Sequence, residues 1–206
     1  MTKTYHRYLN DWHSGRRSKI INKLIKKYDY QKYLEIGVFK AKDNFNIIDI
    51  QYKIGVDPGR ERFKEATHTM TSDEFFAMSD ESFDIVFVDG LHHHEQVYRD
   101  ITNSLNVLNT GGVVVCHDMN PQQYEHQLVP QYKKHTWNGD CWKAYVQLRM
   151  ERDDLEMHVI DADFGLGIIR EGKQKKIETT ALTYANLDLN RKIWLNLISE
   201  NDFFNI

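Results

Sequence analysis

The chain has 206 residues, 41% of them hydrophobic, and a formal net charge of -3. That is enough apolar material for one sizeable core rather than two small ones. The slight acidic balance offers no general attraction to nucleic acid or to anionic membrane. Two cysteines, Cys116 and Cys141, are too few and too far apart in sequence for a disulfide framework or a zinc ribbon. They read as reduced thiols in a cytoplasmic protein. Residues 1–17 lack an apolar run of signal-peptide length, and no later run is long enough for a membrane span, so a soluble chain is expected.

In chain order, Ile20, Ile21, Leu24, Ile25 and Tyr28 recur at helical spacing, with Lys and Arg opposite, and predict an amphipathic lead-in helix within residues 1–30. Tyr33–Val38 reads as a first strand and Lys53–Pro58 as a second. A short helical piece with Phe45, Ile47 and Ile48 joins them, an order that implies a right-handed parallel crossover. A short third strand is expected just before Met70. Phe83–Asp89 is a fourth strand, and Val97, Ile101, Leu105 and Leu108 mark a helix that Gly111-Gly112 separates from a fifth strand, Val113–Cys116. A polar loop runs from Pro121 to Asp140, followed by a helix through Trp142, Val146 and Leu148. Met157–Ile160 and Gly165–Ile169 form a late antiparallel pair, and Leu187–Ile198 is an amphipathic tail. The expected organisation is one domain, with a core over 33–170 and a helical tail over 175–206.

Two apolar runs carry the chemistry. Phe83–Val88 ends in Asp89-Gly90-Leu91-His92, and Val113–Cys116 ends in His117-Asp118. Continuous apolar runs of this kind are parallel strands buried on both faces, and their polar ends meet at the carboxyl edge of the sheet. Neighbouring strands lie roughly 4.8 Å apart, so the carboxylates of Asp89 and Asp118 can converge on one cation with His117 beside them. The run His92-His93-His94 cannot place three rings on a single ion, because consecutive residues entering a helix point in different directions. Asp89 also suits a simpler role as the cap of the following helix.

Together with Tyr33-Leu34-Glu35-Ile36-Gly37-Val38, Ile54-Gly55-Val56-Asp57-Pro58, Ser72-Asp73 and Trp137-Asn138-Gly139-Asp140, these segments resemble the class I S-adenosylmethionine-dependent methyltransferases. The likeness is to their small bacterial and phage branch with Asp-Gly-x-His and His-Asp motifs. The resemblance implies a Rossmann-like α/β fold: a mostly parallel seven-stranded sheet with an antiparallel last strand and helices on both faces. It implies S-adenosylmethionine held by Glu35, Gly37, Val38, Asp57, Ser72, Asp73 and Asp89, with Glu35 and Gly37 at the methionine end, Asp57 on the ribose, and Ser72 and Asp73 near the adenine. In metal-dependent relatives carboxylates at these two strand ends hold magnesium, which implies a divalent cation on Asp89, His117 and Asp118.

Catalysis is then expected from His92, His117 and Asp118. His92 is the base, because an imidazole pKa of about 6.5 suits proton abstraction near neutrality. The reaction implied is O-methylation of a small molecule or sugar, with no nucleic-acid or membrane partner and with self-association left open. The turn after the first strand has Ala41 and Lys42 where the family commonly has glycines. That departure motivates a non-catalytic binding module as an alternative, and the Asp and His cluster motivates a metal-dependent hydrolase.

Overall fold

The computed structural model describes residues 16–59, 65–133, 136–179 and 181–206. Most of the leader and lead-in reading, over residues 1–15, lies outside the described residues. No described helix is long and apolar enough to cross a membrane.

One seven-stranded sheet organises the chain, in the order β2-β1-β3-β4-β6-β5-β7. The strands are β1 (Lys32–Ile36), β2 (Tyr52–Val56), β3 (Phe83–Val88), β4 (Leu108–Cys116), β5 (Leu155–Ile160), β6 (Leu166–Glu171) and β7 (Leu197–Ile198). β2, β1, β3 and β4 are parallel, and only β6 is reversed, running antiparallel to both β4 and β5. The strand period of two divides each central strand between two apolar layers. Leu34, Ile36, Val86, Val88, Val114 and Cys116 face one layer, while Tyr33, Ile85, Phe87, Val113 and Val115 face the other. The first layer is closed by α2 (Ser72–Met78), α3 (His94–Asn106), α4 (Cys141–Glu151) and α5 (Tyr184–Trp194). The second is closed by α1 (Arg16–Tyr28) and α6 (Glu200–Asn205).

Three elements differ from the sequence reading. The expected third strand shrinks to a single parallel bridge, Val56 to His68, because Thr71 at once starts α2 with a capping box to Glu74. Gly111 and Gly112 lie inside β4, which begins at Leu108 and takes up the extra residues through a register shift against β3. The tail does not stay helical to Ile198. Asn196, at φ 45°, stops α5, and Leu197–Ile198 pair in parallel with β5 at the sheet edge.

Candidate active site

Strand register builds the site. Ile36 stands opposite both Val56 and Val88, and Val88 opposite Cys116. The next residue of each strand, Asp57, Gly37, Asp89 and His117, therefore falls in one row along the carboxyl edge, where the chain order switches between β1 and β3. Gly37 makes this row passable. Its φ is +91°, and a Cβ there would lie 2.1 Å from the Asp89 carbonyl oxygen, so no other residue permits the two strand ends to approach so closely. A cleft of about 950 Å³ opens above the row, and every residue implied for cofactor, metal or catalysis lines it. A second hollow, of about 870 Å³, lies between the start of β4 and the β5–β6 end, near Gly111, Asp153 and Lys173; it gathers none of those groups.

At one side of the cleft the acidic and imidazole groups converge. His92 Nε2 is 3.3 Å from Asp89 Oδ1, and its Nδ1 is 3.3 Å from Asp118 Oδ2. His117 Nδ1 reaches the same two oxygens at 3.3 and 3.2 Å. None of these contacts is an aligned hydrogen bond: His92 Nδ1 and both His117 nitrogens are buried without a hydrogen-bond partner among the described residues. Burial opposes charge on both rings, yet the carboxylates of Asp118 and Asp89 outweigh it and raise both imidazoles, His117 well above its ordinary value. Burial likewise pushes the Asp89 carboxyl up, and the facing His117 charge wins and holds it far below the usual carboxylate range.

Donor atoms of Asp89, His92 and Asp118 all lie within 4.8 Å of one another, a spacing that suits one cation. Two ligand atoms each about 2.1 Å from an ion, at angles between octahedral and tetrahedral, are roughly 3.0–3.4 Å apart. The unaligned 3.2–3.3 Å contacts and the orphaned ring nitrogens fit such a group.

The opposite side carries the cofactor candidates. Glu35 is 1% exposed; its Oε2 accepts from Tyr33 Oη at 2.5 Å and from Asn44 Nδ2 at 2.9 Å, while Asn44 Oδ1 accepts from Ser18 on α1. Asp57 Oδ2 accepts from the Phe39 amide and Oδ1 from the Gly59 amide, at 2.9 and 2.7 Å, which fixes the turns after β1 and β2. Ser72 and Asp73 open α2 and are tied to α3 by Gln96 Nε2, which donates to both and to Asp100. The glycine-poor turn folds as two short 3₁₀ turns, with Ala41 buried in the apolar layer and its amide on Glu65.

Arg17 and Asp163 shape the site without a signal in the sequence, and the segment Trp137-Asn138-Gly139-Asp140 does so through contacts that its sequence does not specify. Asp163 Oδ1 faces His117 Nε2 at 3.4 Å, and its Oδ2 accepts from the Arg17 amide. It arrives there because the amides of Met119 and Asn120 bond to the carbonyls of Gly165 and Phe164, clamping the β5–β6 turn onto the end of β4. Asn138 Nδ2 donates to Asp118 and helps hold that residue at φ 64°, a region costly for a side chain other than glycine. Asp89 does not cap α3. The His94 amide goes instead to Asp140 Oδ1 at 2.7 Å, across from the far end of the polar loop. Gly139, at φ +60°, sits where a Cβ would be 1.9 Å from the His92 carbonyl, and Trp137 lies beside the His92 ring with centroids 5.1 Å apart. Trp142 is fully buried in the core.

Residues 12–119 match a family model described as a methyltransferase domain. No curated protein matches the chain. Among solved structures, a Bacillus cereus O-methyltransferase in complex with SAH aligns over 76% of this chain and 80% of its own, at 11% identity and TM-score 0.53. An SAH-bound Podospora anserina methyltransferase aligns over 81% and 83%, at 15% identity and TM-score 0.55. The MycE methyltransferase of the mycinamycin pathway, in complex with Mg, SAH and mycinamycin VI, aligns over 78% of this chain and 50% of its own, at 14% identity and TM-score 0.50. At these identities the likeness is one of fold.

Proposed function

Since the chain belongs to the methyltransferase-domain family, with the class I S-adenosylmethionine-dependent fold, we propose that it moves the sulfonium methyl of S-adenosylmethionine to an oxygen of a small acceptor, a sugar hydroxyl or a comparable metabolite. The observation that carries this reading is the single row Asp57, Gly37, Asp89 and His117 beneath one cleft. On this reading Glu35, Gly37, Val38, Asp57, Ser72 and Asp73 form a cofactor side, His92, His117 and Asp118 a proton-handling side, and Asp89 serves both; all of them line the one cleft.

Asp89 and Asp118 would hold a divalent cation. Either ring could be the third donor, His92 by its grouping with the two carboxylates and His117 by its contacts to both; His117 takes that place because Asp163 stands behind it, a carboxylate behind a ligating imidazole being the usual support. Such an ion, when bound, lowers the pKa of an acceptor hydroxyl and fixes its oxygen. His92, the more exposed of the two rings at 20% against 7%, is then placed to take the hydroxyl proton. The acceptor oxygen attacks the methyl carbon as the carbon–sulfur bond breaks, leaving S-adenosylhomocysteine. Leu91, Trp137 and Phe164 contribute apolar wall to the cleft. The Mg in the MycE complex supports the metal component only by analogy of fold.

Calorimetric titration with S-adenosylmethionine and S-adenosylhomocysteine, with and without magnesium, tests the reading. Saturable binding of both is expected, and a protein that binds neither in either condition is not this enzyme. Magnesium titrated alone should bind wild type and His92→Gln, while Asp118→Asn and His117→Gln lose it. If His92→Gln loses the ion and His117→Gln keeps it, the two rings exchange roles.

A further inference from the structure

Between the acid and imidazole cluster and the cofactor side stands a cation that the reaction above does not use. Arg17 stands on the first turn of α1 and lines the cleft together with Glu35. Its backbone amide already occupies Asp163 Oδ2 at 3.0 Å, and its Nη1 is 3.9 Å from that same oxygen, a loose contact. Its Nε is buried with no hydrogen-bond partner among the described residues. A buried guanidinium donor left open on the wall of a cleft is costly unless a ligand completes it, and the planar fork of arginine matches a carboxylate. The other long-chain cation lining the cleft, Lys40, lies over the Phe39 ring at 5.1 Å.

Burial disfavours the Arg17 charge, but the carboxylates of Asp89, Asp163 and Asp118, and beyond them Glu35, outweigh it and raise the guanidinium; Arg17 in turn pulls Glu35 down against its burial. An anion and a cation that line one cleft are complementary to an α-amino acid zwitterion, the ligand's ammonium going to Glu35 and its carboxylate to Arg17. Glu35 stands two residues before Gly37, on the cofactor side. We propose that Arg17 is the carboxylate anchor for the methionine group of S-adenosylmethionine, an inference that rests on the cofactor reading above. Arg17 is a binding residue, and takes no part in the chemistry. It also gives α1 a reason to enter the site: the helix that covers the second apolar layer reaches the cofactor with its first turn.

The test compares two ligands on wild type, Arg17→Gln and Arg17→Lys by calorimetry. S-Adenosylhomocysteine carries the amino acid group, and 5′-methylthioadenosine keeps the nucleoside and thioether without it. Arg17→Gln should weaken S-adenosylhomocysteine by about ten- to hundredfold, the worth of a charged hydrogen bond, and leave 5′-methylthioadenosine unchanged, with Arg17→Lys in between. Equal loss of both ligands would mean that Arg17 only braces α1, and unchanged affinity for S-adenosylhomocysteine would place its carboxylate elsewhere; either overturns the assignment. Wild type that binds neither ligand overturns the cofactor reading itself, and is distinguished by needing no variant.

Discussion

Burial pushes the Glu35 carboxyl up to about 7, against the hydrogen bonds from Tyr33 and Asn44 that pull it down. Its folded value thus lies above the unfolded one, near 4.5. The stability this group confers is fully present below pH 4.5 and is lost as pH rises through about 7, by an amount on the order of 3 kcal/mol. Ligand binding has the opposite sign, because the charged carboxylate is the form that attracts an ammonium group. Affinity for S-adenosylhomocysteine should therefore rise between about pH 6 and 8, and Glu35→Gln should flatten that rise while making the apo protein more stable than wild type at pH 8. A calorimetric series over pH, with thermal melts of both proteins, checks each arm; a pH-independent wild-type affinity would remove Glu35 from the ammonium site. Gly37→Ala is a second residue-scale prediction. The Cβ would meet the Asp89 carbonyl at a φ suited to glycine, so denaturant unfolding should show a loss of more than about 1 kcal/mol, with cofactor binding weakened as the row of strand ends opens. That Glu35, Gly37, Asp89, His117 and Asp118 meet at one sheet edge was legible because each sits at or beside the end of an apolar run, with His92 carried in by the short turn after β3. Arg17 and Asp163 were not, because what brings them in is the packing of a helix and a turn, and packing leaves no local pattern; Asn138 was visible only as part of the segment Trp137-Asn138-Gly139-Asp140, without its contact to Asp118.

At the scale of elements, the polar loop between β4 and α4 is fastened at its far end by Asp140, which takes the first amide of α3 on one oxygen and Lys143 on the other, at 2.7 and 2.9 Å. The residue preceding α3, His93, supplies no side-chain cap of its own. Asp140→Ala should therefore behave as the loss of a helix cap and cost about 1 kcal/mol. Because Gly139 packs against the His92 carbonyl, the same variant should lower turnover more than it lowers cofactor affinity. Equal effects on the two would show that the loop acts only on stability. Strands with unbroken apolar runs and helices with a clear apolar face were readable from sequence. The errors came where a signal competed with a stronger one nearby. The Gly111-Gly112 pair punctuates like a turn but is absorbed by a register shift in β4, and Thr71 with Glu74 starts a helix before His68 can extend its bridge into a strand. At the tail, the stop at Asn196 and the cap at Ser199, whose hydroxyl accepts from the Asp202 amide, were both present in the sequence and mark the break.

Across the described residues the first and last helices close the same apolar layer. α1 and α6 lie together on it, with Phe203 of α6 at 3% exposure among residues of β5 and β6. Lys23 Nζ stands 3.7 Å over the Phe204 ring, and Glu200 faces Arg16 at 3.4 Å and Lys23 at 3.8 Å. Charge and packing both join the helices, and their magnitudes separate them. Exposed ion pairs contribute about 0–1 kcal/mol, whereas truncating a buried phenylalanine costs about 3–5 kcal/mol in lost transfer and cavity terms. Phe203→Ala should therefore lower unfolding free energy several times more than Glu200→Ala, with the midpoint of urea unfolding as the readout. Adding salt should erase the Glu200 effect and leave the Phe203 effect intact, since screening acts on the exposed charges alone. A Glu200→Ala loss as large as that of Phe203→Ala, persisting at high salt, would mean that α1 and α6 are held by a desolvated charge network. α1 also carries Arg17, and Ser18 at the head of the buried chain through Asn44 to Glu35. The tightness of the α1–α6 clasp thus bears on how well the cofactor end of the cleft is preorganised, and Phe203→Ala should weaken S-adenosylhomocysteine more than 5′-methylthioadenosine if that coupling operates.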